Sequence, residues 1–282
     1  MSDVLYEMFI FIFAGGIFDE VRTILLINPA TEYPLVWELV TTGYKTIVTP
    51  LAVGLLFIFF LSHFISKASM EQVSFDHLFM LGVKLIAGIF LINHGLEIMS
   101  LLYSLGLTFI NNLTSLAQSI GLKVSEGIGD ETQIELWKLL TGCNSLEDRP
   151  GMWKSIAAMF TIIVPYICHF GAMLVMKAIC WSRLILIMVH FLIAPIAFSD
   201  FFMNDLHGTG WKYLKSFAAL CLQGFVISAI TLIFSAFSSG LQTNALEGGF
   251  LNYTVIQIVM TFAAIAAVAK SLSVIKETIG TT

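Results

Sequence analysis

The chain has 282 residues, of which 57% are hydrophobic and 12% charged, with 24 phenylalanines and a formal net charge of -5. Soluble domains average about 45–50% apolar and about 25% charged residues, so a chain of this composition in water would expose aggregating patches. The composition therefore reads as an integral membrane protein, and the acidic balance argues against a basic surface that grips nucleic acid.

In chain order, residues 1–45 read as an N-terminal amphipathic or interfacial segment. Residues 4–18 are apolar, but Glu7 and the Gly15-Gly16 pair interrupt them, which suits an interfacial or re-entrant helix better than a full span. Asp3 and Glu7 stand where a secretory signal would carry basic residues. Residues 46–120 read as a first pair of membrane helices, 47–65 and 78–99, with an amphipathic extension over 101–120. Residues 121–152 are a hydrophilic loop holding Glu126, Asp130, Glu131, Glu135, Glu147 and Asp148 against Lys123, Lys138 and Arg149.

Residues 153–282 read as a four-span bundle. A third span covers 153–176, and Lys177 to Arg183 allow a tight turn or a continuous helix before a fourth span ends near Phe198. The fifth span is 213–235, a lysine-free loop covers 236–252, and the sixth span is 253–269. Pro165 and Pro195 are expected to kink their helices. The fold expected is an all-α polytopic membrane bundle of about six transmembrane helices plus the N-terminal interfacial or re-entrant helix. Six spans with both termini inside agree with the lysine and arginine bias, so fusions at Gly129, Asn204 and Thr282 are all expected to report cytoplasm.

The second span carries the intramembrane polar residues Lys84, Asn93, His94 and Glu97. A charge at that depth costs about 2.5–3.5 kcal/mol on an insertion scale and must face a partner or water. Helical spacing puts His77, Lys84, Gly88, Leu91 and Gly95 on one side, and Asn93, Glu97 and Ser100 on another. Such a surface suits a polar lining in an assembled channel, and equally a polar packing contact between helices. His94 and Glu97 have the spacing of a helical metal pair, but no second pair accompanies them. Cys143, Cys168, Cys180 and Cys221 have no CxxC spacing and read as small hydrophobes.

Gly127-Ile-Gly-Asp130 matches the GxGD string of intramembrane aspartyl proteases, but it sits in the hydrophilic loop without a membrane-embedded aspartate partner. No phosphate loop and no HExxH occur. No catalytic residue, cofactor site or metal site is expected, and the chain does not read as an enzyme. Gly224-x-x-x-Ser228 and the alanines at 263, 264, 266, 267 and 269 offer small faces for helix packing, within the chain or between subunits.

One region carries a more specific pattern. Trp181, Arg183, Ala194 and Pro195 are followed, after a turn with Asp200, Asp205 and His207, by Trp211, Lys212, Tyr213, Leu214, Ser216, Leu220, Gln223 and Gly224. Over roughly residues 177–230, and more weakly over 50–99, the chain resembles the TrbL-type (VirB-six class) family. These are polytopic channel subunits of conjugation and type IV secretion machines, including the TrbL-like conjugal transfer proteins of Gram-positive mobile elements. The resemblance implies a homo-oligomeric ring in the cytoplasmic membrane. It also implies contacts with other secretion membrane subunits and ATPases, and a translocated DNA or nucleoprotein substrate. The family is usually drawn with its central loop outside, which conflicts with the inside placement of residues 121–152 for six spans. The alternative is a secondary transporter with Lys84, His94 and Glu97 as its ion site; a third reading is an intramembrane enzyme.

Overall fold

The computed structural model describes residues 2–13, 16–68, 75–120, 130–201, 208–245 and 249–280. Lys123, Glu126, Gly127, Gly129, Asn204, Asp205, His207 and Thr282 lie outside the described residues, as do the side chains of His77, Asp130 and Glu131. Among the described residues every regular element is helical: α1 (Ser2–Phe13), α2 (Gly16–Leu25), α3 (Pro29–Glu32), α4 (Pro34–Gly43), a π-helical turn (Tyr44–Val48), α5 (Thr49–Ala68), α6 (Phe75–Ser119), α7 (Asp130–Thr141), α8 (Met152–Ser199), α9 (Thr209–Ala245) and α10 (Gly249–Ile279). In hydrocarbon every backbone group must be satisfied within its own segment, and helices do this. Threonine and serine hydroxyls inside them bond back to the preceding turn, as Thr254 does to Phe250 O at 2.8 Å and Thr261 to Gln257 O at 2.8 Å.

Among the described residues five helical stretches are long and apolar enough to cross a membrane: Pro34–Ser66, Leu78–Ser119, Met152–Ser199, Thr209–Phe237 and Gly249–Ile279. The all-helical membrane bundle is as expected, but the expected third and fourth spans are one 48-residue helix, α8, about 72 Å long at ~1.5 Å per residue. Among the described residues, five stretches of spanning length therefore stand where six were expected. The physical reason lies between Lys177 and Arg183, where no glycine or proline ends the helix and the two cations are satisfied sideways. Lys177 pairs with Glu20, and Arg183 bonds to backbone carbonyls of α9. The helix also runs unbroken through Pro165 and Pro195.

The first span likewise begins earlier than residue 47. It runs from Pro34 through the π-helical turn into α5, with Pro34 at the first helical position, where its missing N–H is not needed.

The chain forms two compact units, each assembled from pieces distant in sequence. The first comprises residues 1–26, 109–181 and 224–271. Its core joins Leu5, Phe9 and Phe13 of α1 to Leu136 and Trp137 of α7, with Ile162 of α8 and Tyr253 of α10. Phe9 lies 5.0 Å from Trp137 and Phe13 lies 6.1 Å from Phe250, both edge-on, a favourable aromatic arrangement. The hydrophilic stretch 121–152 is thus not loop throughout. In α7 Leu136 and Trp137 are fully buried, while Glu135 and Lys138 keep to other faces of the helix. Arg149 closes this cluster, 3.1 Å from the Asp3 carboxylate and 4.4 Å over the Tyr6 ring.

The second unit comprises residues 27–108, 182–223 and 272–282. Its core joins Tyr44, Leu56, Ile92, Tyr103, Phe191 and Phe217, among others. Its helices approach at glycines. A Cβ on Gly88 would meet Leu56 Cδ1 at 2.9 Å, and one on Gly95 would meet the Phe198 ring at 2.5 Å and Tyr44 Oη at 2.7 Å. Between membrane helices the gain comes from close packing, because lipid is as apolar as leucine, and small residues permit it. Two tyrosines tie the unit polar-group to backbone: Tyr44 donates to Ile92 O at 2.6 Å and Tyr103 to Ile27 O at 2.6 Å.

Candidate functional site

The second unit brings most of the Trp181–Gly224 pattern together where α8 packs on α9. Arg183 is buried at 2% exposure. Its Nε donates to Leu220 O at 2.9 Å and its Nη2 to Cys221 O at 3.2 Å. A carbonyl oxygen has two lone pairs, so each can accept from the guanidinium while keeping its helical bond. The planar fork suits two successive carbonyls on one helix, which a lysine would not match. On the same stretch of α9, α6 comes close: a Cβ on Gly106 would meet Cys221 O at 3.1 Å. Arg183 thereby holds α8 to α9 where α6 also meets it.

Two turns further along α8, His190 lies against Tyr213, with ring centroids 5.2 Å apart and planes at 26°. Its Nδ1 sits 2.8 Å from Leu186 O, which requires the proton on that nitrogen. The Tyr213 hydroxyl donates to His190 O. Ala194 and Pro195 are buried beyond it. Pro195 has no N–H to give to the carbonyl one turn earlier, yet α8 continues to Ser199.

The connection into α9 is stapled by two residues outside the pattern. Asp200, 7% exposed, accepts the Thr209 N–H at 2.8 Å, so its carboxylate satisfies a first-turn donor of α9. A Cβ on Gly210 would meet Ala197 O at 2.6 Å and Phe201 Cα at 3.0 Å. Trp211 packs edge-on to Phe201 at 5.9 Å, and Lys215 Nζ lies 6.0 Å over its ring. Lys212 is exposed, Gln223 and Gly224 are buried, and Trp181 is 38% exposed. Nothing local in the sequence signals Arg183–Leu220 or Gly106–Cys221, because their partners lie 37 and more residues away.

The polar residues of α6 do not converge. His94 Nδ1 and Glu97 Oε2 are 3.2 Å apart, with side chains 46% and 78% exposed. Lys84 is half-buried ten residues earlier on the same helix, about 15 Å along the axis, and Asn93 is exposed. Among the described residues no group of three or more His, Cys, Asp or Glu could hold a metal ion.

Below the α8–α9 connection the second unit holds a cavity of about 520 Å³. Leu55, Phe59, Ile193, Ile196 and Ala197 line it together with Ser199, Asp200, Thr209 and Tyr213.

Long apolar helices, a perimeter of exposed apolar side chains such as Leu39, Phe160 and Ile86, and buried polar groups bonded to backbone define a polytopic α-helical membrane protein. No family model, curated protein or solved structure matches the chain.

Proposed function

We propose that this protein is a scaffold and channel subunit of a conjugation (type IV secretion) apparatus in the cytoplasmic membrane. It acts there as a homo-oligomeric ring with other secretion membrane subunits and ATPases, in the transfer of DNA or nucleoprotein. It performs no bond chemistry itself. The observation that carries this reading is Arg183. The residue most expensive to place in a membrane is committed to the backbone of α9, so within the second unit Arg183 and the Leu220–Cys221 stretch of the resemblance pattern are packed together.

An ion-coupled transporter gathers its ionisable groups at one midplane site, which Lys84 and the His94–Glu97 pair, about 15 Å apart along α6, do not form. Assembly is supported by α10, where Ala263, Ala266, Ala267 and Ala269 are exposed and only Ala264 of that run is buried. Small exposed faces let helices of neighbouring subunits approach closely.

The purified protein in mild detergent is expected to run as a homo-oligomer without ATP turnover, and a donor strain lacking it to lose DNA transfer. A strictly monomeric particle at every concentration would sink the ring. Undiminished transfer from the deletion strain would sink the apparatus itself.

Five crossings also change the expected sidedness. Two spans separate α1 from α7, and the Asp3–Arg149 contact holds the two ends together on one face. Gly208 follows the third span and Gly280 the fifth, so both belong to the opposite face. Fusions at Ser145 and Gly280 are therefore expected to report opposite sides, and Gly208 and Gly280 the same side. Three identical reports would restore six crossings.

A further inference from the structure

We propose that one face of α6 lines a water-filled vestibule between copies of this chain, and that Glu97 makes the vestibule admit small cations. Its walls are the subunits of the homo-oligomeric ring, so it rests on the reading above. Asn93, Glu97, Ser100, Ser104 and Thr108 recur at intervals of three and four residues. At about 100° per residue they fall within roughly 80° of one another, along about 23 Å of helix. All but Ser100 are exposed. A different side of α6 packs into the second unit, with Ile92, Met99 and Tyr103 at most 6% exposed. A third side, next to the polar stripe, carries Leu101 and Leu105, 61% and 46% exposed. A helix wholly in lipid would strand the stripe, and one wholly in water would strand the leucines. Polar and apolar strips side by side along the axis place α6 on a boundary between lipid and water that runs along the helix.

Water suits this stripe better than a dry protein contact. Ser100, Ser104 and Thr108 donate to carbonyls of their own helix at 2.8, 2.8 and 2.9 Å, so their hydroxyl protons are already committed. Glu97 is the stronger reason. Its side chain is 78% exposed, and its neighbour His94, 3.2 Å away, belongs to the same helix. Copies around a ring axis turn equal faces toward that axis, and facing carboxylates need water and counter-ions between them. Rings of acidic side chains select cations in this way. Lys84 lies about 180° from Asn93 around the helix, so it does not neutralise the stripe. Ahead of Asn93 the same side carries Phe79 and Ile86, 68% and 69% exposed, so the vestibule closes there and opens toward Thr108. DNA, a polyanion, is kept out of it by the charge that admits cations.

The test uses the full chain in lipid vesicles, with one residue at a time replaced by cysteine. Cationic and anionic methanethiosulfonates are then added, which attack thiols that water reaches. Rates are read against the unsubstituted chain, whose four cysteines set the background. Ser100→Cys and Ser104→Cys are expected to react roughly ten-fold faster than Leu101→Cys, Leu105→Cys and Ile86→Cys, because a thiol in apolar surroundings does not ionise. The cationic reagent should lead the anionic one several-fold at Ser104→Cys, and Glu97→Gln should erase that lead. Equal rates around the helix, or a lead that survives Glu97→Gln, overturns the proposal. Native mass spectrometry of the same sample separates the two ways to fail. An oligomer with an unreactive stripe keeps the ring and removes the vestibule, whereas a monomer removes both.

Discussion

Arg183→Ala is expected to lower donor-to-recipient DNA transfer by roughly two orders of magnitude while the protein still inserts. The substitution removes two charge-assisted bonds to α9 at 2.9 and 3.2 Å and leaves a void between α8 and α9. Bonds to charged groups contribute about 1.5–3 kcal/mol each in soluble proteins, and those between membrane helices average nearer ~0.6. With the lost packing, a cost of about 2–4 kcal/mol follows. That is a large part of a typical stability of ~5–15 kcal/mol, enough to open one seam and too little to unfold every helix.

Arg183→Lys should recover little, because an ammonium cannot fork onto two successive carbonyls. Arg183→Met keeps most of the volume and removes the buried charge, and should be near wild type in stability. Transfer, membrane level by blot, and denaturation in mild detergent are measured for all three. Normal transfer by Arg183→Ala at wild-type protein level would remove the seam from the mechanism. Lys84→Ala, at a half-buried site apart from that seam, should transfer within a few-fold of wild type.

Gly210→Ala is the second substitution with a large expected effect, about 3 kcal/mol of destabilisation from a single methyl group. The added carbon would sit 2.6 Å from Ala197 O and 3.0 Å from Phe201 Cα. Both are backbone atoms, so no side chain can swing aside, and α9 must shift its first turn away from the end of α8. The Asp200–Thr209 bond at 2.8 Å lies in the path of that shift. Gly54→Ala and Gly82→Ala are the controls, since a Cβ at either meets nothing within 4 Å. In helix interiors they should be neutral or stabilise by about 0.5–1 kcal/mol. Thermal unfolding in detergent decides: a Gly210→Ala variant as stable as the controls would mean that the connection is looser than this geometry.

The candidate seam is partly legible in the residues themselves. Trp181, Arg183, Pro195, Trp211 and Gln223 stand out as rare residue types in an apolar stretch, and rarity in a membrane segment implies a partner. Who the partners are was not legible. Arg183 bonds to main-chain carbonyls, which every residue possesses, so no complementary side chain in the sequence points to it. Asp200 reads as an ordinary turn residue, and only the approach of α8 to α9 makes it a cap and Gly210 a contact. In the same way Leu136 and Trp137 were hidden among the charges of the hydrophilic stretch. Their apolar face is only visible once α1 supplies Phe9 to cover it.

By itself the sequence determined the environment and the secondary structure. Apolar runs of membrane length with few charges leave the backbone no solvent to bond to, so helices follow from composition alone. It did not determine the number of crossings. Lys177 and Arg183 lie where a turn or a continuous helix was equally possible. The outcome depended on Glu20 meeting the first and the carbonyls of Leu220 and Cys221 meeting the second. A charge between two apolar runs ends a helix when water must solvate it, and lets the helix continue when a neighbouring element does so instead. That choice belongs to the tertiary structure, and with it residues 152–199 form one long helix where two spans were expected.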